Sequence, residues 1–293
     1  MITVLRLAAL TLLTALLCTA PAGAIVGGAP APPGQWPWLV GILQAQKSDA
    51  TVAQFCGGAV IGTRRVLTAA HCVVGESTET IDVLVGRTRL SDTGGRRIPV
   101  TGISVYPGYL SEASPGLDAA VLTLASSPGV APLALARSGS DAAQPGISAW
   151  TMGWGRLNAR RSPGGGWYYA DRLRQLQVPL QSDDTCEGVF GIGASDMPYR
   201  PAWSICIGAG DGKTGPCSGD SGAPLVVGGP GSWLDVGVLQ GGDACASRGY
   251  YDLYTRVDKI SAFALGALTS MKHVREGGST GTSRRSAREH GSS

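Results

Sequence analysis

The sequence runs to 293 residues with 44 glycines, 18 prolines and only 15% charged residues. That turn-rich composition excludes a disordered or coiled-coil chain and leaves room for a large core in one or two domains. The formal net charge is +3. Arg6 accounts for one unit and residues 271–293 for three, so 25–270 stands at −1 and lacks the strongly basic face that nucleic-acid binding requires.

Residues 1–24 read as a secretory signal: Arg6 supplies the positive start, Leu7–Leu17 the apolar run, and Ala22-Gly23-Ala24 an A-x-A cleavage site. The run is too short for a membrane span, and no later stretch fits one, so no stable membrane insertion is expected. Cys18 follows Leu17, where a lipid anchor would require a small residue, and reads as an ordinary cysteine of the apolar run. Cleavage after Ala24 would start the mature chain at Ile25. Earlier cleavage, for example after Ala20, would leave Pro21–Ala24 as a short propeptide.

The body reads as β. Short apolar or β-branched runs recur between Gly/Pro turns at Trp38–Leu43, Ala59–Ile61, Arg65–Thr68, Ile81–Val85, Ile98–Val105, Ala119–Leu124, Ala149–Gly153, Leu173–Pro179, Ala223–Val227 and Leu234–Leu239, a spacing that predicts a sandwich or barrels. Ser126–Gly146, rich in Pro, Gly, Ser and Ala, reads as a linker between two halves. Only Asp258–Ser270 has helical spacing, with Ile260, Phe263, Ala264 and Ala267 on one face. The Gly/Ser/Arg-rich tail 271–293 reads as disordered.

Without Cys18, six cysteines remain: Cys56, Cys72, Cys186, Cys206, Cys217 and Cys245. An even count in a secreted chain implies disulfides, and six cysteines allow fifteen pairings.

The three histidines are His71, His273 and His290, so the body holds one imidazole, in Leu67-Thr-Ala-Ala-His71-Cys72. By itself such a histidine is more often structural than catalytic. Gly215-Pro-Cys-Ser-Gly-Asp-Ser-Gly-Ala-Pro-Leu225 sets Ser221 in a glycine-rich turn suited to exposing a hydroxyl and aiming backbone N–H groups. A serine needs a base to act as a nucleophile, and His71 is the one at hand. Asp118 directly precedes the apolar run Ala119–Leu124, where a carboxylate must find a partner. Holding an imidazole tautomer is such a role.

With these pieces in place the sequence resembles the trypsin/chymotrypsin family of serine peptidases. The resemblance is carried by Ile25-Val-Gly-Gly28, Cys56-Gly-Gly-Ala-Val-Ile61, Leu67–Cys72, Leu117-Asp-Ala-Ala-Val-Leu122, Gly153-Trp-Gly155, Gly219-Asp-Ser-Gly222 and Tyr254-Thr-Arg-Val257, in the family's order. It implies an all-β fold of two six-stranded antiparallel Greek-key barrels, about 25–135 and about 145–257, followed by a C-terminal helix at about 258–270. It implies the disulfides Cys56–Cys72, Cys186–Cys206 and Cys217–Cys245. It also implies a triad of Ser221, His71 and Asp118, an oxyanion hole from the N–H groups of Gly219 and Ser221, and a pair between the freed Ile25 amine and Asp220. If signal removal frees that amine, the enzyme is active as secreted. Activity should fall in acid, as His71 takes up a proton, and in strong base, as the Ile25 amine loses one.

The resemblance also locates departures. Gly215 stands where trypsin-like members carry the acid that selects Lys or Arg. Asp252 stands where many relatives have Gly, on the same pocket wall. Asp252 would favour a basic substrate residue before the cut, unless Arg248 or Lys213 pairs with it; an apolar or broad preference is the other reading. Gln240-Gly241-Gly242 replaces the family's Ser-Trp-Gly: Gln240 could donate to Asp118, and Gly241 would widen the cleft. Trp167, Tyr168 and Tyr169 could touch substrate or cover a core edge. Arg87, Arg89, Arg96 and Arg97 occupy the loop where some relatives bind calcium, so no metal is expected, and no cofactor. The expected protein is a secreted, extracellular, monomeric serine endopeptidase acting on protein or peptide substrates and open to proteinaceous inhibitors. Two rivals are a catalytically silent binding protein on the same fold and an esterase-like hydrolase.

Overall fold

The computed structural model describes residues 25–109, 117–162, 164–191, 197, 199–242 and 244–266. The expected signal 1–24, the tail 271–293 and residues 267–270 of the expected helix lie outside them. In chain order the strands are β1 (Ala29–Pro30), β2 (Leu39–Gln44), β3 (Gln54–Gly62), β4 (Arg65–Thr68), β5 (Ile81–Val85), β6 (Arg96–Val105), β7 (Ala120–Leu124), β8 (Ala134–Leu135), β9 (Ser148–Gly153), β10 (Arg174–Pro179), β11 (Ser204–Ile207), β12 (Pro224–Val227), β13 (Leu234–Gly241) and β14 (Asp252–Arg256). The helices are α1 (Ala50–Ala53), α2 (Asp183–Phe190) and α3 (Val257–Ala264).

Strands β2–β7 close into an antiparallel barrel in the order β2-β3-β4-β7-β6-β5. Val40, Ile42, Val60, Val66, Val83, Ile98, Leu122 and Leu124 are buried in it, each contributing roughly 1.5–3 kcal/mol on leaving water. The second half is a curled sheet, β1-β10-β9-β12-β13-β14-β11, with β8 pairing β13. Its ladder does not close as the expected second barrel would. The edges meet at the single bridge Leu180–Ile207, because β10 ends at Pro179, which has no N–H to continue a ladder.

Two elements cross between the halves. The first strand in the chain, β1, pairs with β10 of the second sheet. Trp36 stacks among Trp38, Trp150 and Trp233 at centroid distances of 5.5, 6.0 and 4.9 Å, and its Nε1 donates to Gln175 at 2.7 Å. Helix α3 buries Ile260, Phe263 and Ala264. Its last carbonyls would be unpaired in isolation, and Arg65 answers by donating Nε and Nη2 to Ala264 O at 3.1 and 2.9 Å. Helix α2 was not anticipated: Ser182 caps it by accepting from Thr185 N, with Asp183 and Asp184 in its first turn, where acids favour the positive helix end. Disulfides join Cys56 to Cys72, Cys186 to Cys206 and Cys217 to Cys245. Among the described residues no helix is long and apolar enough to cross a membrane.

Candidate active site

After β4 the chain tightens into a single 3-10 turn, Ala70–Cys72, which the Cys56–Cys72 disulfide clips to β3. His71 leaves this turn half-exposed. Asp118, two residues before β7, is buried. Its Oδ1 accepts from His71 N at 2.9 Å and its Oδ2 meets His71 Nδ1 at 2.5 Å. A carboxylate only accepts, so Nδ1 carries the hydrogen and Nε2 presents its lone pair. Thr255 Oγ1 of β14 donates to Asp118 O at 3.1 Å, tying the acid to the second sheet.

Ser221 comes from that sheet. Its loop turns at Gly219 (φ +98°) and Gly222 (φ +81°), conformations that favour glycine. The loop is closed by Asp220 N to Cys217 O at 2.9 Å and Ala223 N to Asp220 O at 3.0 Å, while Gly57 N of β3 donates to Ser221 O at 2.7 Å. Cys72 Sγ lies 3.7 Å from both Ser221 O and His71 Nε2. The structure thus brings His71, Asp118 and Ser221 together at the junction of the two halves. Ser221 Oγ and His71 Nε2 are not hydrogen-bonded to each other, a distance of the kind that tightens when substrate binds.

Gln54 was not anticipated. Its buried Nε2 donates to Gly219 O at 2.8 Å and to Cys56 O at 3.0 Å, which sets the peptide plane following Gly219. The available signal was a lone polar residue two positions before Cys56, at the head of an otherwise apolar strand.

Asp220 is fully buried. Oδ1 accepts from Gly155 N at 2.7 Å and a second oxygen from Cys217 N at 3.0 Å. Burial outweighs these bonds and pushes its carboxyl up to about 7. A side chain at Gly153 or Gly155 would collide with this carboxylate, which explains both glycines of the Gly-Trp-Gly stretch. Ile25 is wholly buried, and Val26 bridges Gly215, with Gly215 N to Val26 O at 3.0 Å. With Ile25 N in a peptide bond, no cation reaches Asp220 among the described residues.

A pocket of about 110 Å³ opens beside Ser221, lined by Ser218, Leu239, Gly241, Gly242, the Cys217–Cys245 disulfide and Asp252. The Asp252 carboxylate lies between Gly215 and Gly242: a side chain at either would meet its oxygens at 2.9 and 2.7 Å. Burial, and then the charge of Asp220, hold its carboxyl well above the usual range. Lys213 and Arg248 are exposed, and neither forms an ion pair with it; among the described residues no donor reaches this carboxylate. Gln240 does not line the pocket. It falls at a register shift of β13, between Leu239 and Gly241, which do line it. The Asp118 carboxylate is held by His71, not by Gln240. Met197 takes part of the space that Gly241 vacates: a side chain there would meet its Cε at 3.4 Å.

Cys56, His71 and Cys72 cluster closely enough to suggest a metal, but the disulfide removes both thiolates from ligation. Of the four arginines placed at the loop where some relatives bind calcium, Arg96 and Arg97 instead open β6, and the arginines tie chain segments together, as in Arg97 to Asp82 at 2.7 Å and Arg89 to Asp171 at 2.9 Å.

The Trypsin family model matches residues 25–264. The chain is 36% identical over 233 residues to a protein named trypsin from Saccharopolyspora erythraea, covering 80% of this chain and 93% of that one. It is 30% identical over 248 residues to serine protease 28 of Mus musculus, covering 82% and 87%. Over 252 residues it is 33% identical to serine protease 56 of Homo sapiens, covering 80% of this chain and 37% of that longer protein.

Proposed function

The chain belongs to the trypsin family, and on that premise we propose that it is a secreted serine endopeptidase. The carrying observation is the His71–Asp118 pair, with its free Nε2 lone pair, set beside the Ser221 loop. Ser221 Oγ attacks the peptide carbonyl while His71 takes its proton. The tetrahedral oxyanion is held by the N–H groups of Gly219 and Ser221, each such donor worth about 3 kcal/mol. His71 then returns the proton to the departing amine, and water repeats the sequence on the acyl-enzyme. Asp118 keeps the tautomer and stabilises the imidazolium.

The substrate residue before the cut is Lys or Arg. The support is Asp252, a pocket carboxylate that no donor or cation reaches among the described residues: a substrate cation supplies the partner that burial otherwise denies it. Extracellular placement is supported by the three disulfides, which persist in oxidising compartments. Release of the Ile25 amine by signal removal supplies the cation for Asp220, so no second protease is required.

The test is labelling of the secreted protein by a serine-directed fluorophosphonate with no activating protease added. Labelling of wild type that His71→Ala loses supports the reading. Absence of labelling in a chain proven by sequencing to begin at Ile25 overturns it.

A further inference from the structure

Between β9 and β10 the chain makes an excursion beside the nucleophile loop. Arg156 pairs with Tyr169 in an isolated bridge, Leu157 N donates to Tyr168 O at 2.7 Å and Ser162 N to Gly166 O at 3.0 Å. Asn158 crosses the excursion, donating to Arg160 O at 2.6 Å and accepting from Tyr168 N at 3.0 Å. The excursion is welded to the site: Arg156 N donates to Ser218 O at 2.9 Å, and a side chain on Gly219 would meet the Tyr169 ring at 3.5 Å.

Its surface has one sign. Arg156, Arg160 and Arg161 are its only charged residues, and no acid occurs from Gly155 through Ala170. The next acid, Asp171, is occupied by Arg89 and Ser91. The Arg156 and Arg161 guanidiniums lie 4.0 and 5.3 Å from the Trp167 ring centre, a stacking that orders a cation without neutralising it. None of the three forms an ion pair among the described residues. Tyr168 and Tyr169 are 57% and 47% exposed, so they cover no core edge.

We propose that Arg156, Arg160 and Arg161, held against Trp167 and flanked by Tyr169, bind an acidic side chain in the first few substrate residues after the scissile bond. This rests on the endopeptidase reading above. None of the excursion's residues lines the Asp252 pocket, which holds the acyl half of the substrate. The excursion borders Gly219 from outside that pocket, and the half that departs is the part of the substrate assigned to it. The enzyme then selects a basic residue before the cut and an acidic one after it.

The experiment compares two peptides identical up to the cut, one with Asp-Glu and one with Ser-Gln in the second and third positions after it, together with a simple ester of the same acyl half. Wild type should prefer the acidic peptide in kcat/KM by about fivefold at low salt, through KM, and lose the preference at 0.5 M salt, where surface charges are screened. The triple variant Arg156→Gln/Arg160→Gln/Arg161→Gln should bring the ratio to one, while the corresponding triple Lys variant keeps it. Ester cleavage with equal rates on the two peptides overturns this proposal and leaves the peptidase reading standing. Failure to cleave ester and peptides alike overturns both.

Discussion

Gln54 Nε2 donates to the carbonyl of Gly219, 165 residues away along the chain, at 2.8 Å. One buried amide of the first barrel thereby fixes the Gly219–Asp220 peptide, which lies between the two peptides whose N–H groups are proposed to hold the oxyanion. Gln54→Ala leaves that carbonyl without its donor, at a cost of about 1–3 kcal/mol. We expect kcat to fall about tenfold with KM little changed, measured by steady-state kinetics on a peptide amide. An unaltered kcat would remove Gln54 from the machinery.

Asp220 makes a pH test of activation. With Ile25 N in a peptide bond, its carboxyl stands at about 7 in the fold against 3.8 for a free group. The folded state therefore holds an extra proton between those values, and stability falls as pH rises through that window, by a few kcal/mol. A freed Ile25 ammonium reverses the sign by favouring the carboxylate. Melting temperatures of a chain beginning at Ile25 and of one retaining Pro21–Ala24 should diverge from pH 4 to pH 7, with the retained form the loser. Parallel curves would dismiss the pairing.

Asp252 gives a second, separable dependence. Its raised carboxyl stays neutral at low pH and offers no charge to a basic substrate residue. The ratio of kcat/KM for Lys or Arg over a neutral residue before the cut should rise with pH, and Asp252→Asn should flatten it. Ionising this group in the empty fold costs stability as pH rises through the raised value, so Asp252→Asn should also be more stable than wild type in alkali. A steep ratio that survives in the variant would move the preference elsewhere.

Gly222 tests the packing of the nucleophile loop. At φ +81° a side chain would run into Thr68 Oγ1 and lie 2.5 Å from Gly57 O. Gly222→Ala should lower stability by about 2 kcal/mol or more, read as a lower denaturation midpoint. Serine labelling should fall with it, because the same contact joins the two halves. A neutral substitution would mean the loop can back away from β3.

Much of the fold was legible because its strands carry apolar runs between turn residues: β2, β4, β5, β6 and β7 fall close to the expected spans, whereas β3 begins at Gln54, well before the expected Ala59. Short-range signals failed where the element was short or its partner distant. β1 is two residues, Ala29–Pro30, and exists only because β10 lies beside it. α2 has a capping serine and two early acids, yet its eight residues carry little apolar periodicity. Likewise, β10 stops at Pro179, so the second sheet is closed by one bridge rather than a continuous ladder.

By itself the sequence determined the local chemistry: a serine between glycines, one body histidine beside a cysteine, an aspartate at the head of an apolar run, and six cysteines besides Cys18. These are properties of contiguous residues, where spacing along the chain sets spacing in space. The tertiary structure alone decided what depends on groups brought together from far apart. It placed the Asp252 carboxylate in the gap between Gly215 and Gly242, where no donor among the described residues reaches it, left Gln240 out of the pocket lining, and put Gln54 against the Gly219 carbonyl. Burial and hydrogen bonding depend on what surrounds a group after the chain has folded, and no residue carries that information in its own type.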